Sequence, residues 1–207
     1  MLRVGLTGGI ASGKSTVGAM LAARGAHLLN ADRLAHQLYE PGAAVYDEVV
    51  RHFGREILNP DNTISRAALA NLAFPNRIGE LNAIVHPAVI EAQNAWMASI
   101  ERSDPQGIAV VEAALLLEAG AAKAFDKIIV VTCDFDSKVK RYAHRAGVAL
   151  ELAHAEVERR SAAQFSDQEK AQQADFVIDN SGTVEDTERQ VERIWSDLQG
   201  IAGAQSP

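Results

Sequence analysis

The segment "LTGGIASGKSTVG", Leu6 to Gly18, constrains the fold more than any other part of the chain. An apolar run precedes it, and the amphipathic stretch Thr16 to Arg24 follows it. It satisfies the pattern G-x-x-x-x-G-K-[ST] through Gly8, Gly13, Lys14 and Ser15. Glycines in such a loop let backbone N–H groups turn inward around an anion at a helix N-terminus. The segment therefore predicts a strand, a phosphate-binding loop and a helix.

The loop residues have expected roles toward a nucleoside triphosphate. Lys14 can reach the β and γ phosphates, and the hydroxyl of Ser15 can hold Mg²⁺, the predicted cofactor. The sequence contains no guanine-selecting N-K-x-D segment, which disfavours a GTPase. The predicted nucleotide contacts in the loop are Gly8, Gly9, Ala11, Ser12, Gly13, Lys14, Ser15 and Thr16.

Five apolar runs predict strands at 3–7, 26–31, 108–113, 127–132 and 175–180. Their apolar residues are consecutive rather than alternating, as expected for strands that are covered on both faces. Helical patterns separate them. We therefore predict a P-loop NTPase-like α/β fold with a five-stranded parallel sheet and helices on both faces.

Uneven strand spacing predicts the organisation of a single unit, 1–207. About 75 residues separate the second and third strands, far more than one crossover needs, so 36–100 is predicted to be a helical insertion. The nucleotide-binding core then comprises 1–35 and 101–200. A charge-rich helical region at 137–173 is predicted to form a lid, and the tail 201–207 is predicted to be disordered.

Composition limits the partners. The 207 residues carry a formal net charge of -7, which disfavours nucleic-acid or membrane binding through bulk positive charge. A single cysteine, Cys133, excludes an internal disulfide and fits a reducing compartment. Neither a signal peptide nor a membrane span is expected from the sequence. The predicted location is the cytoplasm, and the oligomeric state is left open.

Two carboxylates follow predicted strands at the edge where α/β sheets bind ligands. Asp32, after the second strand, can act as a base or hold the metal through water, but it can equally be a helix N-cap. Glu112 ends the third strand and is either a metal-side carboxylate or a surface residue. Arg141 and Arg145 lie four residues apart on one helix face, which suits a lid that closes over a phosphate or a plain solvated face.

The chain resembles the dephospho-CoA kinase family along nearly its whole length. The resemblance rests on "VGLTGGIASGKSTV", "NADRLAH", "LNAIVHPAV", "ALLLEAG", "RYAHR" and "ADFVIDNSG". It implies transfer of the γ-phosphoryl group of ATP, with Mg²⁺, to the ribose 3′-hydroxyl of dephospho-CoA. The small-molecule substrates would be ATP and dephospho-CoA, and the products CoA and ADP.

The resemblance also implies residue roles. Asp32 occupies the position of the catalytic base, and Arg141 and Arg145 match the lid arginines, which with Lys14 complete the catalytic set. His86 and Pro87 lie in the insertion that the family uses to bind the acceptor, although a packed structural histidine is an equal alternative for His86. Asn180 matches a loop near the adenine of ATP and is a plausible base contact.

The sequence departs from the family pattern at three positions. Ala11 replaces a glycine, which is tolerable only if its φ is negative. Asn30 replaces the first aspartate of D-A-D and leaves Asp32 to act alone, and Ala114 replaces a proline, which should loosen that turn. Two other functions stay open from the residues: a P-loop kinase for another small acceptor, and a nucleotide-dependent switch that recognises a protein.

Overall fold

A parallel β-sheet of five strands organises the fold. The computed structural model describes residues 1–73 and 76–204. The strands are β1 (Leu2–Gly8), β2 (His27–Asn30), β3 (Ile108–Glu112), β4 (Lys127–Thr132) and β5 (Phe176–Asp179), and their order is β2-β3-β1-β4-β5. Pairs β1–β3, β1–β4 and β4–β5 are parallel. The predicted sheet is confirmed, and each predicted strand end lies within one residue of the observed one.

Helices occupy the intervals between the strands. They are α1 (Lys14–Ala23), α2 (Ala31–Gln37), α3 (Tyr46–Phe53), α4 (Arg66–Ala73), α5 (Ile78–Ser103), α6 (Phe135–Ala146), α7 (Leu150–Ala162), α8 (Asp167–Ala171) and α9 (Val184–Ala204). Short 3₁₀ helices lie at Arg55–Ile57 and Ala121–Ala124. No helix in the described ranges is both long and apolar enough to cross a membrane.

The chain divides into two compact units. The first comprises Met1–Leu29 and the chain from Ile100 onward, and the second comprises Asn30–Ser99. The first unit contains the phosphate loop and most of the sheet, and the second is helical. The division falls at 29/30 and 99/100, whereas the sequence placed the insertion at 36–100. The second unit therefore includes α2, which carries Asp32.

Both faces of the sheet in the first unit are covered. One face packs Leu6 and Val131 against Leu21 of α1 and Leu198 of α9. The other face packs Ile128 and Val130 against the segment 113–125. Burial of strand side chains on both sides explains why the strand sequences are continuously apolar.

Helix α9 corrects the predicted disordered tail. The helix does not end at Gly200 but continues to Ala204, because Ile201 and Ala202 pack against the core cluster of the sheet. Burial of these side chains compensates for the low helix propensity of Gly200. Residues 205–207, the rest of the predicted tail, lie outside the described residues.

The second unit has a core of its own. Side chains from α3, α4, α5 and the residues flanking α3 form it, and its fully or nearly buried members are Val45, Val49, Phe53, Ile57, Leu69, Ala73, Leu81 and Val85. Helix α3 contributes Val49 and Phe53, which are four residues apart and so lie on one face. A separate apolar cluster explains why 30–99 is compact by itself.

Candidate active site

The phosphate loop joins β1 to α1 and has the conformation that its glycines predict. Gly13 is the N-cap of α1 with φ 96°, and a Cβ there would overlap with the side-chain amide of Asn180. A Cβ at Gly8 would overlap with the carbonyl oxygen of Val131 on β4. Both positions therefore need glycine, because neighbouring groups leave no space for a side chain. The N-terminus of α1 directly follows the loop.

Lys14 lies over the loop. Its Nζ donates hydrogen bonds to the carbonyl oxygens of Gly8 and Gly9, each at 3.0 Å. The ammonium group is thus held above the backbone that would surround a phosphate chain. A compact, strongly charged amine at this point favours binding of a polyanion.

Ser15 and Glu112 form the second polar pair of the loop. The Ser15 hydroxyl donates to Glu112 Oε1 at 2.6 Å, and the Glu112 side chain is buried. The register explains the contact, because Leu6 of β1 pairs with Glu112 at the carboxyl end of β3. The alternative of a surface glutamate is therefore wrong. Sequence spacing alone does not place Glu112 at the loop, because Ser15 is 97 residues away along the chain.

Asn180, the residue after β5, contacts the phosphate loop. Its Nδ2 donates to the Ser12 carbonyl oxygen at 2.7 Å, and its Oδ1 accepts from the Thr187 hydroxyl at 2.7 Å. The residue is 6% exposed. Both ends of the amide are thus engaged inside the protein, which gives Asn180 a positioning role toward the loop. Its role as an adenine contact stays a prediction.

The two arginines of α6 occupy different environments. Arg141 is partly buried, and its guanidinium donates to the Asn180 carbonyl oxygen at 2.8 Å and the Ser12 carbonyl oxygen at 3.4 Å. Arg145 is exposed, with its guanidinium 5.7 Å from the centre of the Tyr142 ring. Arg141 thus contacts the loop itself, whereas Arg145 faces solvent.

Helices α6 and α7 pack around the loop. Ile10 of the loop belongs to a cluster with Val139 and Ala143 of α6 and Ala153 and Val157 of α7. The region that the sequence assigns to a lid is therefore continuous with the loop in its packing. Closure of this region over a phosphate stays a prediction.

Arg159 and Arg160 of α7 form an exposed ion-pair group. Both guanidinium groups bond to Glu156, at 2.8 and 2.6 Å, and these hydrogen bonds lower the pKa of Glu156 to about 2. The side chains of both arginines are about half exposed or more. Exposed ion pairs of this kind contribute little to stability, and these two residues form a solvated face of α7.

A lysine that the sequence analysis did not single out lies beside the loop. Lys138 Nζ bonds to Asp167 Oδ2 at 2.7 Å, and its side chain is 9% exposed. A Cβ on Gly9 would lie 3.0 Å from Asp167 Oδ1 and 3.2 Å from Lys138 Nζ. The ion pair therefore packs directly against Gly9. In the sequence, Lys138 could have been found from its position one turn before Arg141 on the same helix.

The second unit carries the predicted base. Asp32 is exposed and lies in the first turn of α2, and Asn30 is the N-cap, with its Oδ1 accepting from Arg33 N at 2.8 Å. The alternative that Asp32 is the N-cap is therefore wrong. The cap of α2 is supplied by Asn30 instead.

His86 and Pro87 lie on α5 of the same unit. Both are exposed and line an open groove of 780 Å³ together with Ile90, Glu91 and Asn94. The alternative of a packed structural histidine is therefore wrong. Binding of an acceptor at His86 and Pro87 stays a prediction.

Two of the departures from the family pattern have a structural outcome. Ala11 has φ 52°, so the condition given for tolerating its methyl group, a negative φ, is not met. Its methyl group packs against the cluster of α6 and α7, and a left-handed alanine costs only about 1–2 kcal/mol. The Ala114 carbonyl oxygen accepts from Thr7 Oγ1 at 3.4 Å and Lys170 Nζ at 3.3 Å, two contacts that oppose the expected loosening of this turn.

The sheet and the loop between β1 and α1 define a nucleotide-binding protein of the P-loop class, and two solved structures share this fold. Dephospho-CoA kinase from Campylobacter jejuni matches the fold with a TM-score of 0.69 over 96% of this chain and 98% of its own, at 24% identity. A protein from Thermus thermophilus, TT1252, matches with a TM-score of 0.78 and 32% identity over 95% of this chain and 97% of its own.

The family is shown by sequence. The model of the dephospho-CoA kinase family matches residues 2–186. The dephospho-CoA kinase of Geobacter metallireducens is 45% identical over 95% of this chain and 96% of its own length. This chain belongs to the dephospho-CoA kinase family.

Proposed function

We propose that the protein transfers the γ-phosphoryl group of ATP to the ribose 3′-hydroxyl of dephospho-CoA, giving CoA and ADP. This is the last step of coenzyme A biosynthesis. The observation that carries the proposal is the phosphate loop with Lys14 above it, in a chain that belongs to the dephospho-CoA kinase family. The proposed location is the cytoplasm, where a free thiol such as Cys133 stays reduced.

The loop supplies the phosphate site. Backbone N–H groups from Gly9 to Ser15 and the Lys14 ammonium bind the triphosphate, with Thr16 in the first turn of α1 beside them. On ATP binding, Lys14 exchanges its bonds to the Gly8 and Gly9 carbonyl oxygens for bonds to phosphate oxygens. The exchange requires little movement, because the ammonium already lies over the loop.

Ser15 and Glu112 are the proposed residues for Mg²⁺. A hydroxyl and a buried carboxylate, 2.6 Å apart, are oxygen donors of the type this ion prefers. No group of three or more His, Cys, Asp or Glu side chains in the described ranges could hold a metal. Two oxygen donors suit Mg²⁺, which usually keeps several waters and substrate oxygens. When bound, the ion offsets negative charge on the phosphates.

Asp32 is the proposed general base. Its carboxylate is exposed at the start of α2, and Asn30 satisfies the helix cap in its place. The carboxylate accepts the proton of the 3′-hydroxyl as the oxygen attacks the γ-phosphorus, and the bond between that phosphorus and the oxygen bridging to ADP breaks.

Arg145 and Arg141 are the proposed cationic groups of the lid. Arg145 is exposed and can move toward the transferred phosphoryl group, whereas Arg141 holds the Ser12 carbonyl oxygen and stabilises the loop beneath it. Closure also excludes water, which would otherwise hydrolyse ATP. His86 and Pro87 are proposed to bind the acceptor through the groove on α5.

The first test is incubation of the purified protein with Mg·ATP and dephospho-CoA, with CoA and ADP followed by chromatography. Equal amounts of the two products, both dependent on the acceptor, are expected. Production of ADP without CoA would refute the proposed acceptor and favour another acceptor or a nucleotide-dependent switch.

Lys14→Ala and Asp32→Asn test the residue roles. Each should lower kcat by about 10²-fold or more, the scale for electrostatic and acid–base groups. Asp47→Asn is the matched control for the base, because it makes the same change in the first turn of α3. Near-normal turnover of Asp32→Asn would overturn the assignment of the base.

A further inference from the structure

A small cavity in the second unit is lined by His36 of α2, the helix that carries the proposed base. It has a volume of 170 Å³ and lies beside α2 and α4. Its lining combines a tyrosine and four apolar side chains with four polar or charged ones. The first group is Tyr39, Ile64, Leu69, Ala70 and Leu81, and the second is His36, Glu40, Thr63 and Arg66, of which Glu40 and Arg66 are exposed at the rim. A cavity of this volume is smaller than the usual site of a drug-sized ligand and suits a single ring system.

The position of the cavity along α2 relates it to the acceptor. His36 follows Asp32 by four residues, so the two side chains share one face of the helix about 6 Å apart along its axis. The Asp32 carboxylate acts to raise the pKa of His36, which places the two groups near each other. A ribose whose 3′-hydroxyl contacts Asp32 would therefore hold its base or its 5′ substituent near this cavity.

Charge distinguishes between those two parts of the acceptor. Arg66 is a cation at the rim, but the carboxylate of Glu40 lies on the same rim. Burial, followed by the nearby Arg66 guanidinium, lowers the pKa of His36, so its imidazole is neutral at pH 7. With one cation and one anion, the rim has no excess positive charge for a diphosphate. Apolar walls and a tyrosine ring suit a neutral, planar heterocycle.

We propose that the cavity bounded by Tyr39, Leu69 and Leu81 binds the adenine ring of the acceptor, and so positions the ribose 3′-hydroxyl at Asp32. The proposal rests on the proposed function and adds the part of the acceptor that the second unit recognises. The adenine stacks near Tyr39, and its polar edge faces His36 and Arg66 at the rim.

Ala70 offers a way to fill the cavity without disturbing the core. It lies on α4, lines the cavity and is exposed, so Ala70→Leu adds three carbon atoms at the rim and keeps a good helix former. Ala67→Leu is the matched control, because Ala67 is exposed on the same helix outside the cavity lining. Ala70→Leu should raise the KM for dephospho-CoA about 10- to 200-fold with the KM for ATP unchanged.

AMP identifies the part of the acceptor that is displaced, because it contains adenine and ribose but no pantetheine arm. Its Ki is measured as a competitor of dephospho-CoA at saturating ATP. In Ala70→Leu, the Ki of AMP should rise by the same factor as the KM for dephospho-CoA, whereas Ala67→Leu should match the wild type in both.

Three outcomes overturn the proposal. An unchanged KM for dephospho-CoA would show that the acceptor does not enter the cavity. A raised KM with an unchanged Ki for AMP would assign the cavity to the pantetheine arm. Failure of AMP to compete with dephospho-CoA would show that adenine and ribose alone are not recognised there. Absence of CoA formation by the wild-type protein would instead refute the proposed function.

Discussion

Replacement of Asn180 by alanine tests whether this residue positions the phosphate loop. The change removes two buried side-chain hydrogen bonds of 2.7 Å, one to the Ser12 carbonyl oxygen and one from the Thr187 hydroxyl. At about 1 kcal/mol net for each bond, the free energy of unfolding should fall by about 2 kcal/mol. Neither partner is orphaned, since Arg141 still contacts the Ser12 carbonyl and Thr187 still bonds to the Thr183 carbonyl.

The kinetic consequence separates the two roles considered for Asn180. If the residue positions the loop, the loop shifts for every nucleotide, and kcat/KM should fall about 10- to 100-fold for ATP and for GTP by the same factor. If the residue contacts adenine, kcat/KM for ATP alone should fall. The ratio of kcat/KM for ATP to that for GTP is therefore the decisive measurement.

Thr187→Val provides the matched control. It removes the hydroxyl that bonds to Asn180 Oδ1 and keeps the bond from Asn180 Nδ2 to the loop. It should lower stability by about 1–3 kcal/mol, the effect of one orphaned buried acceptor, and change kcat/KM much less than Asn180→Ala. Urea unfolding gives both stabilities. Asn180→Ala with wild-type stability, or with loss confined to ATP, would refute the positioning role.

Two further changes test backbone strain and pH dependence. Because Ala11 has φ 52°, Ala11→Val should lower the free energy of unfolding, measured with urea, by about 1–3 kcal/mol. Ala11→Gly should stay within about 1 kcal/mol of the wild type, and equal stability of the two variants would contradict the left-handed conformation. Burial acts to raise the pKa of Asp175, but hydrogen bonds from Lys127 and Ile128 outweigh it and lower the pKa below 3.8. Asp175→Asn should therefore lower the free energy of unfolding by about 1 kcal/mol at pH 7. This difference in stability from the wild type should shrink as the pH falls through the lowered pKa of Asp175, and a constant difference down to about pH 2 would contradict the reasoning.

The sequence predicted best those features that depend on neighbouring residues. The strands were predictable because burial on both faces demands consecutive apolar residues, and β4 was predicted without error at Lys127–Thr132. The phosphate loop was predictable because its glycines, Lys14 and Ser15 all lie in one stretch of eight residues. The helical nature of 36–100 followed from the length between two strands.

Features that depend on distant partners were less predictable. Glu112 and Ser15 are 97 residues apart, and Asn180 and Ser12 are 168 residues apart. Only the strand order and register bring these pairs together, so sequence spacing could not show that Glu112 is buried against the loop. The extension of α9 past Gly200 similarly depends on packing of Ile201 against the sheet.

At the carboxyl edge of the sheet, residues that are distant in sequence contact the phosphate loop. Glu112 from β3 holds the Ser15 hydroxyl, Asn180 after β5 holds the Ser12 carbonyl, and Arg141 from α6 contacts both of those last two residues. Each contact fixes a different point of the loop backbone, so the loop is shaped before a nucleotide binds. A preformed loop loses little conformational entropy on binding, which leaves more of the phosphate contacts available to stabilise the transition state. We propose that the second unit completes the reaction site by supplying the acceptor, through the cavity lined by His36, and the base, Asp32, four residues earlier on the same helix.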